Sequence, residues 1–127
     1  MVRCLGGLIV VSVLYPTLGF AQTYFSFGEG SASCGEFLEA AEAERKARPP
    51  TARSTQVYNR EYDAFIMFAD GFLTGANVWD TTHSELGKGT DMQRRMAWIE
   101  NYCRAKPLDQ FSNAVISLRV YLRGEGQ

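Results

Sequence analysis

A chain of 127 residues with 14 acids, 13 bases and a formal charge of −1 fits a single domain with one core. It has no basic excess with which to neutralise phosphates, which argues against nucleic acid as a partner. One histidine and widely spaced cysteines cannot supply four zinc ligands, and no cofactor-binding pattern is found.

The first residues, MVRCLGGLIVVSVLYPTLGFA, place Arg3 before an apolar run from Leu5 to Tyr15. Pro16 and Gly19 break that run, and Gly19 and Ala21 put small residues where a signal peptidase reads. Residues 1–21 are therefore expected to be a secretory signal peptide, and residues 22–127 a single helical domain in the periplasm. The apolar run falls short of the ~20 residues of a membrane span, so no membrane association is expected after cleavage. Cys4 lacks the small-residue box that precedes a lipidated cysteine. Cleavage removes one base and no acid, which moves the net charge to about −2. Cys34 and Cys103 remain, and an even pair in a small exported domain reads as a disulfide. Closing about 70 residues, it is worth roughly 4 kcal/mol on the chain-entropy account.

Residues 22–32, QTYFSFGEGSA, show no sustained period and are read as a flexible lead or a short strand. Ser33-Cys34-Gly35-Glu36 matches a helix capping box, in which the serine hydroxyl and the glutamate each satisfy the other's backbone amide. Cys34, Phe37, Leu38 and Ala41 share one face of the helix that follows. Glu39, Glu42, Arg45 and Lys46 share the other, with the acids leading, as the helix dipole favours. Pro49-Pro50 stops this helix, and 51–56 forms a polar linker.

The stretch 58–79, YNREYDAFIMFADGFLTGANVW, has a broad apolar arc of helical period. The arc runs through Tyr62, Phe65, Ile66, Phe68, Ala69, Phe72, Leu73, Ala76 and Trp79. It predicts a central helix covered by neighbours on most sides. Gly71 and Gly75 lie along one edge and are expected to admit another backbone closely, offsetting a helix-propensity cost of roughly 2 kcal/mol. The polar stretch 80–90, DTTHSELGKGT, reads as a long loop. Thr90 or Asp91 caps a third helix reaching Ala105, with Met92, Met96, Ile99 and Cys103 inward. Pro107 is expected to open the last helix, whose stripe is Leu108, Phe111, Val115, Leu118 and Leu122, ending near Arg123 and Gly124. The fold expected is all-α: four helices with one disulfide tying the start of the first to the end of the third.

No catalytic constellation emerges. The one histidine, His83, sits in a loop, and no serine lies in a nucleophile elbow. Asp63 and Asp70 lie two turns apart on the polar face of the central helix, where carboxylates are ordinarily solvated. A nucleophilic Cys34 at a helix start competes with the disulfide, which is the better account. The chain reads as a non-enzyme that works by binding. Binding residues concentrate on loops held by a rigid scaffold. His83, Glu85 and Lys88 in the loop 80–90 are therefore the candidate partner-binding residues, with a plain connector as the alternative.

Three segments together support a resemblance. Ser33-Cys34-Gly35, Phe68 to Asn77 (FADGFLTGAN) and Tyr102 to Leu108 (YCRAKPL) occur in an order similar to that of the Rap/Tai family of bacterial immunity proteins. The pattern also resembles the small exported helical proteins typified by the HdeA acid-stress chaperones. The resemblance implies an HdeA-like four-helix domain in which a cysteine early in helix one pairs with a cysteine before the last helix. It further implies a periplasmic protein that neutralises a peptidoglycan-cleaving amidase effector delivered by type VI secretion. The alternative it implies is an acid-stress chaperone. A homodimer is compatible with either.

Overall fold

Ser33 starts the first helix as the capping box requires: its Oγ accepts from the Glu36 amide at 3.2 Å, and Glu36 returns its carboxylate to the Ser33 amide at 2.7 Å. Among the described residues four α-helices follow in order, α1 (Cys34–Ala47), α2 (Arg60–Trp79), α3 (Met92–Ala105) and α4 (Phe111–Gly124). This computed structural model describes residues 24–53 and 55–124. The expected signal peptide, 1–21, lies outside them. Asn59 caps α2 and Asp91 caps α3, each through its side-chain oxygen. The only strand-like feature among the described residues is an isolated bridge between Ser33 and Gln110.

The core forms where α1, α2 and α4 each contribute one fully buried phenylalanine. Phe37, Phe65 and Phe111 pack with ring centroids 5.4, 4.9 and 4.7 Å apart, mostly edge to face, the arrangement their quadrupoles favour. Met96 and Ile99 from α3 and Val115 and Leu118 from α4 extend this core. The Cys34–Cys103 disulfide lies inside it, with Cα atoms 4.9 Å apart, and joins the start of α1 to the end of α3. The expected all-α, single-disulfide architecture is thus the one observed.

Several elements differ from expectation. The last helix begins at Phe111 and not at Pro107. Residues 107–110 form a turn whose carbonyls are occupied: Pro107 accepts from the Gly35 amide and Asp109 from the Cys34 amide, while Phe111 donates to Ala32. The turn therefore satisfies the otherwise orphaned amides that begin α1, and a helix starting at Pro107 could not. Leu108, expected in the apolar stripe, is 97% exposed in consequence.

Trp79, expected in the buried arc, is also out in solvent, 87% exposed at the last residue of α2. Met67 and Val78 are exposed too, so α2 is covered on one side only. Gly71 and Gly75 are not packing glycines: a Cβ at either would meet nothing within 4 Å. Close approach occurs instead at Gly30, buried in a single 3-10 turn over Gly28–Ser31, where a Cβ would collide with the Phe68 ring and Ser26 Oγ. That turn packs on α2 and α4. The Tyr24 hydroxyl is 3.1 Å from Ser112 Oγ and donates to Asn113 Oδ1, so the described part of the lead, 24–32, is docked and is not a strand.

Candidate functional site

The loop 80–90 was expected to be a polar connector, and the structure gives it an anchor. Asn77, near the end of α2, holds both backbone groups of Leu86: its Oδ1 accepts from the Leu86 amide at 2.8 Å and its Nδ2 donates to the carbonyl at 3.2 Å. Leu86 itself is buried. Gly87 and Gly89 adopt φ of 79° and 83°, which only glycine takes without strain, and the chain then folds back to the Asp91 cap. Turn bonds from His83 to Asp80, Lys88 to Glu85 and Thr90 to Gly87 fix the rest.

The three loop residues singled out from sequence, His83, Glu85 and Lys88, line one open pocket of about 440 Å³ together with Leu122 and Arg123. Glu85 and Lys88 pair with each other at 2.7 Å on the exposed surface. His83 also has structural contacts. Its Nδ1 is 3.2 Å from Arg123 Nη2, which donates, and its amide bonds Asp80 Oδ1 at 3.2 Å. The loop is a fixed wall of the fold and not a free insert.

Asp80 is the pivot of that wall. Its Oδ1 accepts from the amides of Thr82 and His83, and its Oδ2 faces Arg119 at 3.3 Å and Arg123 at 3.5 Å. Burial alone would push its carboxyl up. The charge of Arg123 and the bonds from the loop outweigh that and hold it below its ordinary value.

Beside this pivot runs a cleft of about 700 Å³ between the C-terminal halves of α2 and α4. Phe72, Gly75, Ala76 and Trp79 form its apolar side, and Arg119 and Arg123 its basic rim. Arg119 Nε is buried and has no hydrogen-bond partner among the described residues. The cleft combines an exposed indole, a bare helix surface and two guanidiniums, a composition suited to binding. A second cleft, about 490 Å³, lies on the far side of the loop between Lys88, Arg94, Trp98 and Tyr121. Its cations are committed: Lys88 to Glu85, Arg94 to Asp91, and Arg95 to Asp70 in a two-pronged bond of 3.0 and 3.1 Å.

That last pair revises the reading of Asp70, which is tied to α3 and not simply solvated, while Asp63 is exposed. No cluster of three or more metal-ligating side chains occurs among the described residues. Sequence reasoning missed Arg119 and Arg123 as site residues. Their spacing of four on α4, flanking Leu118 and Leu122, would have placed them on one edge, but nothing local indicates that Asp80 and Trp79 lie opposite. Comparison of the chain with protein-family models, curated proteins and solved structures finds no match.

Proposed function

We propose that this chain is an exported inhibitory protein of the immunity type, which binds a cell-wall-cleaving effector in the periplasm. The observation that supports a binding role is Trp79, 87% exposed at the mouth of the cleft that Arg119 and Arg123 rim. Tryptophan and arginine supply a disproportionate share of binding energy at protein interfaces, and a large exposed aromatic beside a concave surface has no folding duty. The immunity assignment itself rests on the resemblance of the Ser33–Gly35, Phe68–Asn77 and Tyr102–Leu108 segments.

The test uses the oxidised protein and the product of an adjacent gene encoding a secreted amidase. Stoichiometric loss of peptidoglycan cleavage on mixing is expected. Trp79→Ala should weaken the complex by at least about 2 kcal/mol in calorimetry without lowering the melting temperature. Full amidase activity in the presence of excess protein removes the reading.

The acid-chaperone reading has one observation in its favour. Glu36 and Asp109, at the starts of α1 and just before α4, are held below the ordinary carboxylate range by hydrogen bonds that acid would break.

A further inference from the structure

We propose that the cleft between α2 and α4 is a docking groove for a partner-protein segment in which a carboxylate sits next to an apolar side chain. Arg119 and Arg123 take the carboxylate, and the surface of Phe72, Gly75, Ala76 and Trp79 takes the apolar neighbour. This rests on the binding-protein reading and names the chemistry that the partner must present.

The charge argument begins with an unequal count. Two guanidiniums share one carboxylate at 3.3 and 3.5 Å. Elsewhere in the fold an arginine facing the core has an acid of its own at closer range, Arg95 with Asp70 at 2.9 Å and Arg48 with Glu44 at 3.0 Å. Asp80 also spends Oδ1 on its own loop amides. Among the described residues the rim therefore keeps about one unneutralised positive charge over an apolar surface, where an added anion is attracted more strongly than in open water.

Arg119 carries the second argument. A buried donor without an acceptor is costly to keep, and native folds rarely do so without a reason. Its side chain as a whole is 31% exposed, so the Nε–Nη edge can turn toward an incoming carboxylate and bond it in the paired, planar manner that guanidinium favours.

Shape supplies the third. A Cβ at Gly75 would meet nothing within 4 Å, so this position is bare and leaves the groove unfilled next to the indole. The apolar surface selects a side chain over a free ion. Asp80, close to the rim, disfavours a doubly charged phosphate more than a single carboxylate.

The probe is an acetylated and amidated pentapeptide, Gly-Leu-Glu-Leu-Gly, with its glutamine counterpart and inorganic phosphate as controls. Binding to the oxidised protein is read from the Trp79 indole and Arg119 Nε–H resonances. The glutamate peptide should give saturable shifts at both at millimolar concentration. The glutamine peptide should bind at least about tenfold more weakly, the factor that one charge-assisted hydrogen bond supplies. Gly75→Leu, whose Cβ would meet no neighbour and whose longer side chain would fill the groove, should abolish the shifts while the rest of the spectrum stays native.

Equal binding of the two peptides, equal response to phosphate, no shift with the glutamate peptide, or unimpaired binding by Gly75→Leu would each overturn the proposal. So would a dimer in sedimentation that Gly75→Leu dissolves, since the groove would then belong to a second copy. Peptide binding without amidase inhibition leaves the groove standing and removes the immunity reading, and inhibition without peptide binding does the reverse.

Discussion

An alanine methyl at Gly71 would meet nothing within 4 Å beyond the backbone of its own helix, and the residue is exposed in mid-helix. The substitution thus adds no clash and takes conformational freedom from the unfolded chain. Gly71→Ala should raise stability by about 0.5–1 kcal/mol, measured as a shift of the urea midpoint at constant slope. At Gly30 the sign reverses. A methyl there would push into the Phe68 ring, which packs on Phe111, and Gly30→Ala should lower stability by about 1–3 kcal/mol. A gain at Gly30, or a comparable loss at Gly71, would mean that the 3-10 turn and not α2 is the open surface. The glycine spacing on α2 was legible in the sequence, but its purpose was not. A gap of four in a helix signals either a close partner or bare surface, and only the position of the neighbouring helices decides between them.

Helix boundaries were legible because their signals are local. The Ser33–Glu36 box, the Asp91 cap and the Pro49-Pro50 stop act within one turn of the residues they govern. The start of α4 was not, because residues 107–111 are held by bonds to Ala32, Cys34 and Gly35, more than 70 positions away in sequence. Glu44 was hidden for the same reason. It lies on α1 among charged residues, yet it is only 3% exposed. Its Oε2 accepts from the Tyr58 and Asn59 amides, both at 2.7 Å, and its Oε1 meets Arg48 at 3.0 Å. Arg48 in turn donates to the carbonyls of Arg53 and Gln56. One buried carboxylate and its half-buried arginine therefore fasten the linker between α1 and α2 and set where α2 begins. Glu44→Ala strands two backbone amides and removes one of the three acceptors of Arg48, and should cost about 2–4 kcal/mol. Amide exchange at Tyr58 and Asn59 should accelerate more than in the α4 core. Uniform exchange rates across the domain, with stability unchanged, would show that the clamp holds nothing. The candidate site depended most on long-range contacts: Trp79 and Asp80 at the end of α2 and Arg119 and Arg123 on α4 are two distant segments that only the fold brings together.

Across the whole molecule, stability and acid response meet at the disulfide end. The Cys34–Cys103 bond closes a loop with a sequence separation of 69, so Cys103→Ser should lose about 4 kcal/mol on the chain-entropy account. The native oxidised protein should also show no reactive thiol at either cysteine. The same end holds Asp109. Its Oδ2 accepts from the Tyr102 hydroxyl at 2.6 Å and its Oδ1 from the Gln110 amide and Asn113, while its carbonyl caps the Cys34 amide. Burial alone would push its carboxyl up, but these hydrogen bonds outweigh it and leave it below the ordinary value. Glu36, bonded to the Ser33 amide and hydroxyl, is lowered as well. A depressed folded value means that the stabilisation is complete above the unfolded value, near pH 4. It is then lost as pH falls through the lower folded values. Acid should therefore loosen the junction of α1, α3 and α4 below about pH 4, with the disulfide keeping the opened chain tethered. Asp109→Asn should be less stable than the parent at pH 7, with the difference shrinking by pH 3 because the parent has lost what the variant never had. Urea titrations at the two pH values measure this, and parallel losses in both proteins would remove Asp109 from the acid response. An acid chaperone further requires that the loosened state expose the phenylalanine core. A far-ultraviolet spectrum and apolar-dye binding unchanged from pH 7 to pH 2 would leave that reading without its trigger.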